Sequence, residues 1–252
     1  MRPAEPSRDF EIRGLTSPQR TGLDVTVPNV ARVYDVLLGG RNNLAADRQV
    51  AEKLLAAVPG AAVAARENRA FLARAVRFLC QEAGIRQFID IGAGLPAGGS
   101  VHEITEGAVP PPRVVYADND LMVLRHADAL IGGRLNVEAV HADLRQPRWL
   151  LTQPAVQRVI DLSQPVAILL VAVLHFLSGQ EDPHAVVNYL KDQVAPGSYL
   201  VVSHVTAEHI VHQLECIEID KENGEQILYR VALSDSAIQP IEQRSAIRKI
   251  CQ

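Results

Sequence analysis

Asp90, Gly92 and Gly94 stand close together where the apolar run Gln87-Phe88-Ile89-Asp90-Ile91 meets Gly92-Ala93-Gly94-Leu95-Pro96. The run reads as a short buried strand that feeds a glycine turn. Glycine takes positive φ without strain and lets a ligand approach the main chain with no Cβ in the way. Residues 99–106 can be helical, so their free N–H groups and positive dipole end would face the same spot. Strand, glycine turn and helix start together make a cradle for a nucleotide-type ligand.

Further acids follow the next two apolar runs. Asp118-Asn119-Asp120 comes after residues 113–117, and Asp143-Leu144-Arg145 after 137–141. Asp118 is placed to accept both hydroxyl protons of a ribose, and Asp143 suits an exocyclic amine, so the three strand ends could grip one adenosine. The glycine pattern alone is unspecific, since Gly92 to Ala97 also fits the dinucleotide form G-x-G-x-x-A, with Asp118 at about the spacing NAD needs. Two features favour S-adenosylmethionine instead. Asp90 precedes the first glycine, where it would serve a pyrophosphate badly and an α-ammonium well, and Pro96 removes an N–H donor from the turn. The expected cofactor contacts are Asp90, Gly92, Gly94, Leu95, His102, Asp118, Asn119, Asp143 and Leu144. Each has a plainer alternative: an ordinary tight turn for the glycines, a helix N-cap for Asp118 (a role that suits Asp120 better), a solvated loop acid for Asp143, a packed surface histidine for His102.

His175 emerges from the most apolar run, residues 166–174, and is the candidate general base, because a neutral imidazole accepts a proton near pH 7. A structural role competes with it, since methyl transfer from a sulfonium can proceed on alignment and desolvation alone. Tyr34, with Asp35 and Arg41, is the other acceptor-side candidate, on a helix that could act as a lid.

These residues need elements to hold them. Val30, Val33, Tyr34, Leu37 and Leu38 recur at helical spacing and end at Gly39-Gly40. Helices are expected over about 45–58 and 62–84 as well. From there the chain alternates strands (87–91, 113–117, 137–141, 166–174, 199–203) with helices (99–106, 122–130, 183–194). That order implies a doubly wound, mainly parallel α/β sheet with an N-terminal helical extension and a ligand site at the strands' carboxyl ends. The expected domains are a mobile arm over 1–26, a helical cap over 27–84 and a cofactor-binding core over 85–252.

With 252 residues, 48% of them hydrophobic and 21% charged, the chain can bury a core, and its net charge of −4 gives no general attraction to nucleic acid. Cys80, Cys216 and Cys251 form no C-x-x-C pair, so neither a disulfide framework nor a zinc site is expected. Arg2, Glu5, Arg8 and Asp9 are unlike a signal peptide, and no apolar run is long enough for a bilayer; a cytoplasmic protein without a membrane partner is expected.

The chain resembles the actinobacterial S-adenosylmethionine-dependent methyltransferases formerly grouped as a domain of unknown function. The matching stretches are Pro28 to Asp35 with Leu38-Gly39-Gly40, Asn68 to Leu72, Phe88 to Pro96, Val101-His102-Glu103, Val115 to Asp120, Asp143 to Arg145, Leu169 to Phe176, Pro196 to Leu200 and Ser203-His204. The resemblance implies a Rossmann-like methyltransferase core and leaves the acceptor open. Relatives tend to have proline where this chain has Leu121. Such cores also end in an antiparallel hairpin, whereas residues after 203 read as helix or loop, with 244–250 like the helix before that hairpin; the last edge strands are expected to be missing. The leading function is therefore methyl transfer to a small molecule. A non-catalytic S-adenosylmethionine-binding protein and an NAD-dependent oxidoreductase are the alternatives, and the tail would suit a homodimer surface.

Overall fold

The computed structural model describes residues 26–96 and 98–204 in full, and the backbone of 213–219, 226–230 and 239–241. Three helices come first: α1 Val30–Leu37, α2 Ala45–Ala57 and α3 Ala61–Gln81. Asn29 caps α1, its side chain accepting the Arg32 N–H at 3.1 Å. Strands and helices then alternate: β1 Gln87–Ile91, α4 Val101–Ile104, β2 Arg113–Asp118, α5 Leu121–Ile131, β3 Val137–His141. There follow α6 Pro147–Thr152, α7 Pro154–Val159, β4 Ala167–Val171, a short 3-10 turn over Leu174–Phe176, α8 Pro183–Gln193 and β5 Ser198–His204. The chain ends in β6 Gln213–Ile219, β7 Gln226–Arg230 and β8 Gln239–Ile241.

The sheet order is β3-β2-β1-β4-β5-β6-β7-β8. Strands β1 to β5 pair in parallel, and β6 to β8 continue the edge antiparallel. The doubly wound sheet with N-terminal helices is thus present, but the expected loss of the last edge strands is wrong. Three antiparallel strands cover the edge of β5, where open N–H and C=O groups would otherwise be left to pair with another chain. The helix expected over 244–250 and all but the last residue of the arm over 1–26 lie outside the described residues.

Side-chain alternation along the parallel strands sorts the residues by face. On one face Phe88, Val114, Tyr116, Ala167, Leu169, Tyr199 and Val201 pack with Phe71, Leu72, Val76 and Leu79 of α3, Val101 of α4, and Ala127 and Ile131 of α5. On the other, Ile89, Ile91, Val115, Ala117, Ile168, Leu170 and Leu200 pack with α6, α7 and α8. Asp90, Asp118 and Ser203 have the parity of the first face. They emerge toward α3, α4 and α5 at the carboxyl ends of their strands. Strand order reverses between β1 and β4, which makes that rim the expected ligand position of such a sheet.

The candidate cofactor cleft

Asp90 is 5% exposed and lines a cleft at the rim, and its carboxylate accepts no hydrogen bond from any described residue. Burial is the main cause that pushes its carboxyl up to about 7, with the Asp118 charge adding and the Arg69 charge opposing. A buried carboxylate without donors is costly unless a cation or donor arrives, so the position fits the ammonium group of a ligand. Opposite it in the β1–β2 register is Tyr116, and two residues further is Asp118. Asp118 accepts the Gly94 N–H at 3.0 Å and the Asp120 N–H at 2.9 Å, and burial still raises its pKa. The first of these bonds ties the glycine turn to the acid on the next strand.

Gly92 and Gly94 serve different ends. Both have positive φ, 72° and 67°. A Cβ on Gly92 would lie 2.5 Å from Val173 Cγ2, whereas one on Gly94 would meet nothing within 4 Å. Gly92 is thus a packing site for the turn after β4, and Gly94 faces open space where a ligand can approach. Gly92→Ala should destabilise the protein by ~2–4 kcal/mol, combining left-handed backbone strain with overpacking. Denaturant melts check this, and the value for Gly94→Ala is expected to be smaller.

His102 also borders the cleft, with its Nδ1 2.7 Å from the Tyr116 hydroxyl, which the His102 backbone N–H also reaches at 3.0 Å. Burial pulls its pKa down, against the opposing charge of Glu103. Leu95 is buried in the same wall.

Asn119 follows Asp118 at the end of β2, and Asp143 and Leu144 follow β3 one strand further out; none of the three lines this cleft. The Asn119 carbonyl is 3.1 Å from His141 Nε2. Asp143 accepts from Arg145 Nε at 2.8 Å, from Nη2 at 2.5 Å and from the Arg145 backbone N–H at 2.9 Å. Burial alone would raise its carboxyl, but these bonds hold it below the ordinary range. Arg145 Nη1 reaches Glu181 Oε1 at 3.3 Å, so Asp143 belongs to a surface ion-pair chain. Leu144 is buried against the face of α6 to α8.

The acceptor-side candidates sit beyond Gly92. His175 is in the 3-10 turn after β4, two residues past Val173, with ring centroids 4.2 Å from Phe176 and 5.8 Å from His204. Tyr34 donates its hydroxyl proton to the Ala65 carbonyl at 3.0 Å and accepts from Asn68 Nδ2 at 3.0 Å. Asn68 Oδ1 in turn accepts from Ser203 Oγ at 2.6 Å, and that oxygen accepts the Ala172 N–H at 2.8 Å. This buried relay joins α1 and α3 to the ends of β4 and β5. It ends on Ala172, whose φ of 54° is left-handed, a strain that the surrounding bonds must hold in place. Asp35 is buried and takes the Asn42 N–H at 2.9 Å and Asn43 Nδ2 at 2.8 Å, bracing the loop after α1.

Asp120, the acid expected to cap a helix, caps α5 and accepts the Met122 N–H at 2.7 Å. Sequence reading did not single out several other features that build this site: the second oxygen of Asp120 accepts from Asn29 Nδ2, which links α1 to the rim. Arg32 and Asp47 form a buried ion pair at 2.6 Å. Asn68 and Ser203 make the relay. The first pair had a local signal, an Asn before one helix and an Asp before another; the others meet only in the folded chain.

A family model described as S-adenosyl methyltransferase matches residues 16–236. Among solved structures, a Thermobifida fusca protein provisionally assigned as a methyltransferase is 46% identical, with a TM-score of 0.70 over 73% of this chain and 69% of its own. A DUF574 family protein of Streptomyces avermitilis is 37% identical, with a TM-score of 0.70 over 73% of this chain and 71% of its own. No functionally curated protein matches the chain. No helix among the described residues is long and apolar enough to cross a membrane.

Proposed function

The chain belongs to the S-adenosyl methyltransferase family, and from that membership we propose that it methylates a small molecule at the rim above β1, β2 and β4. When bound, S-adenosylmethionine supplies an electrophilic methyl group carried on a sulfonium. Asp90 pairs with the ligand's ammonium, Asp118 accepts from the ribose hydroxyls, and Gly94 leaves room for the ligand against the main chain. Beyond the cleft, toward the end of β3, the adenine would lie past Asn119; Asp143 would contribute only through the face that Arg145 leaves open, and Leu144, its side chain buried against α6 to α8, only through its backbone.

The observation that carries this reading is the pair of buried acids, Asp90 and Asp118, at adjacent strand ends, the carboxylate of the first without a hydrogen-bond donor among the described residues. His175, held by the turn after β4, is the group to take a proton from the acceptor, and Tyr34 borders the same side. A small acceptor is favoured because α1 and α3 roof the rim from two directions: Asn29 bonds Asp120 after β2, and Asn68 bonds Ser203 in β5. That roof would exclude water from the reacting centre. The reading of a non-catalytic relic loses its motive, since strands β6 to β8 complete the sheet edge. The nicotinamide reading has no support from the family.

Calorimetric titration with S-adenosylmethionine and S-adenosylhomocysteine tests the assignment. Asp118→Ala should weaken both by ~10–100-fold, the effect of losing hydrogen bonds to a charged acceptor. Equal affinity in wild type and Asp118→Ala would remove Asp118 from the site. Incubation with cofactor and fractionated metabolites, read by mass spectrometry for a gain of one methyl group, identifies the acceptor; methylation of protein fractions alone would contradict a small-molecule acceptor.

A further inference from the structure

Arg69, in the Asn68-to-Leu72 stretch of α3, has no part in the scheme above, yet its side chain borders the cleft beside Asp90. Among the described cleft residues the charged side chains are Arg69, Asp90 and Asp118, with His102 kept toward its neutral form by burial. The two acids answer to an ammonium group and to ribose hydroxyls. An amino-acid end also carries a carboxylate, and a carboxylate leaving water needs a cation or several N–H donors. Arg69 is the one permanent cation among those residues. Its Nη2 donates to the carbonyls of Gly98 at 3.0 Å and Gly99 at 3.4 Å, which holds the guanidinium between α3 and the segment leading into α4. No described residue accepts from its Nε or Nη1. Its charge is felt at Asp90, Tyr116 and Tyr34, which places it within electrostatic reach of both the β1 and β2 ends and of the α1 helix.

We propose that Arg69 binds the carboxylate of the cofactor's amino-acid end through an N–H that the glycine carbonyls leave unused, beside Asp90 on the ammonium. The pair then selects an adenosine that carries an amino acid over one that does not. The guanidinium suits this, because its permanent charge and several fixed N–H donors let one side stay on the glycine carbonyls while another meets a carboxylate oxygen. The inference rests on the methyltransferase reading of the cleft.

Titration of the full chain with S-adenosylhomocysteine and with 5′-methylthioadenosine, which has the same adenosine and thioether but no amino-acid end, separates the two. Arg69→Gln should weaken S-adenosylhomocysteine by ~10–100-fold and leave 5′-methylthioadenosine within about threefold of wild type. Arg69→Lys should restore part of the loss. Retained binding of 5′-methylthioadenosine also shows that the variant folds. Equal weakening of both ligands, or no weakening of S-adenosylhomocysteine, overturns the role of Arg69. Failure of the wild type to bind either ligand overturns the methyltransferase reading itself, a result that involves no variant.

Discussion

Asp90→Asn should make the ligand-free protein more stable at pH 8 while removing most of its affinity for S-adenosylhomocysteine. Burial, more than any neighbouring charge, lifts the Asp90 carboxyl from the ordinary 3.8 to about 7. The folded state therefore holds this proton more tightly than the unfolded chain does. The stabilisation this gives is full below about pH 4 and is lost as pH rises through 7. Each pH unit of that difference corresponds to about 1.4 kcal/mol, so the ionised carboxylate disfavours the fold by up to roughly 4 kcal/mol. Asparagine keeps the shape and never ionises. Melting curves should show the variant ahead of wild type by ~1–3 kcal/mol at pH 8 and nearly level with it at about pH 4, once relaxation around the charge is allowed for. Binding should move the other way. Wild-type affinity should rise with pH up to about 7 as the carboxylate forms, whereas the variant should bind ~30–100-fold more weakly at pH 8 with a flat pH profile. A variant as tight as wild type would separate Asp90 from the ligand.

Asp47→Ala should produce the largest loss of stability of any single change in helices α1 to α3. Asp47 is fully buried and holds Arg32 Nε at 2.6 Å, the Asn29 N–H at 2.9 Å and the Leu44 N–H at 2.8 Å. Arg32 spends a further donor on the Val27 carbonyl at 2.7 Å. Alanine would leave a buried guanidinium uncompensated and two backbone donors unmet, for a loss of ~3–5 kcal/mol and about 10 °C in Tm. Because Asn29 is also the residue that bonds Asp120 at the rim, cofactor affinity should fall with it. The double variant Arg32→Met/Asp47→Leu should recover the part of the loss due to the uncompensated guanidinium, since buried ion pairs are often replaceable by apolar groups of similar size, while the Asn29 and Leu44 N–H groups stay without their acceptor. Chemical denaturation of the three proteins measures this. A single variant within ~0.5 kcal/mol of wild type would mean that the pair is exposed to water in solution.

The parallel half of the sheet was readable from sequence because its strands are apolar runs of the right length, each followed by an acid, glycine or histidine that the interior would reject. The five strands and the helices of the cap fall within a few residues of expectation; the strand expected over 166–174 is shorter, Ala167–Val171, because the backbone turns left-handed at Ala172. The C-terminal strands were missed although a signal was there. Asn223-Gly224 lies between Gln213–Ile219 and Gln226–Arg230, a spacing and composition that favour a hairpin. Their polar and apolar residues are mixed, as at a sheet edge, and Pro240 in β8 pairs with Tyr229 at the outermost position, where a missing N–H does least harm. Helices α6 and α7 were overlooked too, though each opens with proline at its first turn, Pro147 and Pro154. The relay from Ala172 through Ser203 and Asn68 to Tyr34 has no local signature, because Asn68 and Ser203 meet only once α3 docks on β5. The tie between Asp143 and Arg145 lay two residues apart in the sequence, yet it shows only in the folded geometry that the carboxylate is already occupied.

A crystal structure of the protein with S-adenosylhomocysteine bound tests the assignment of the cleft most directly. The amino-acid end is expected beside Asp90, over Gly94, with the ribose hydroxyls on Asp118. A ligand seated elsewhere on the rim, with neither carboxylate within hydrogen-bonding distance, would contradict it.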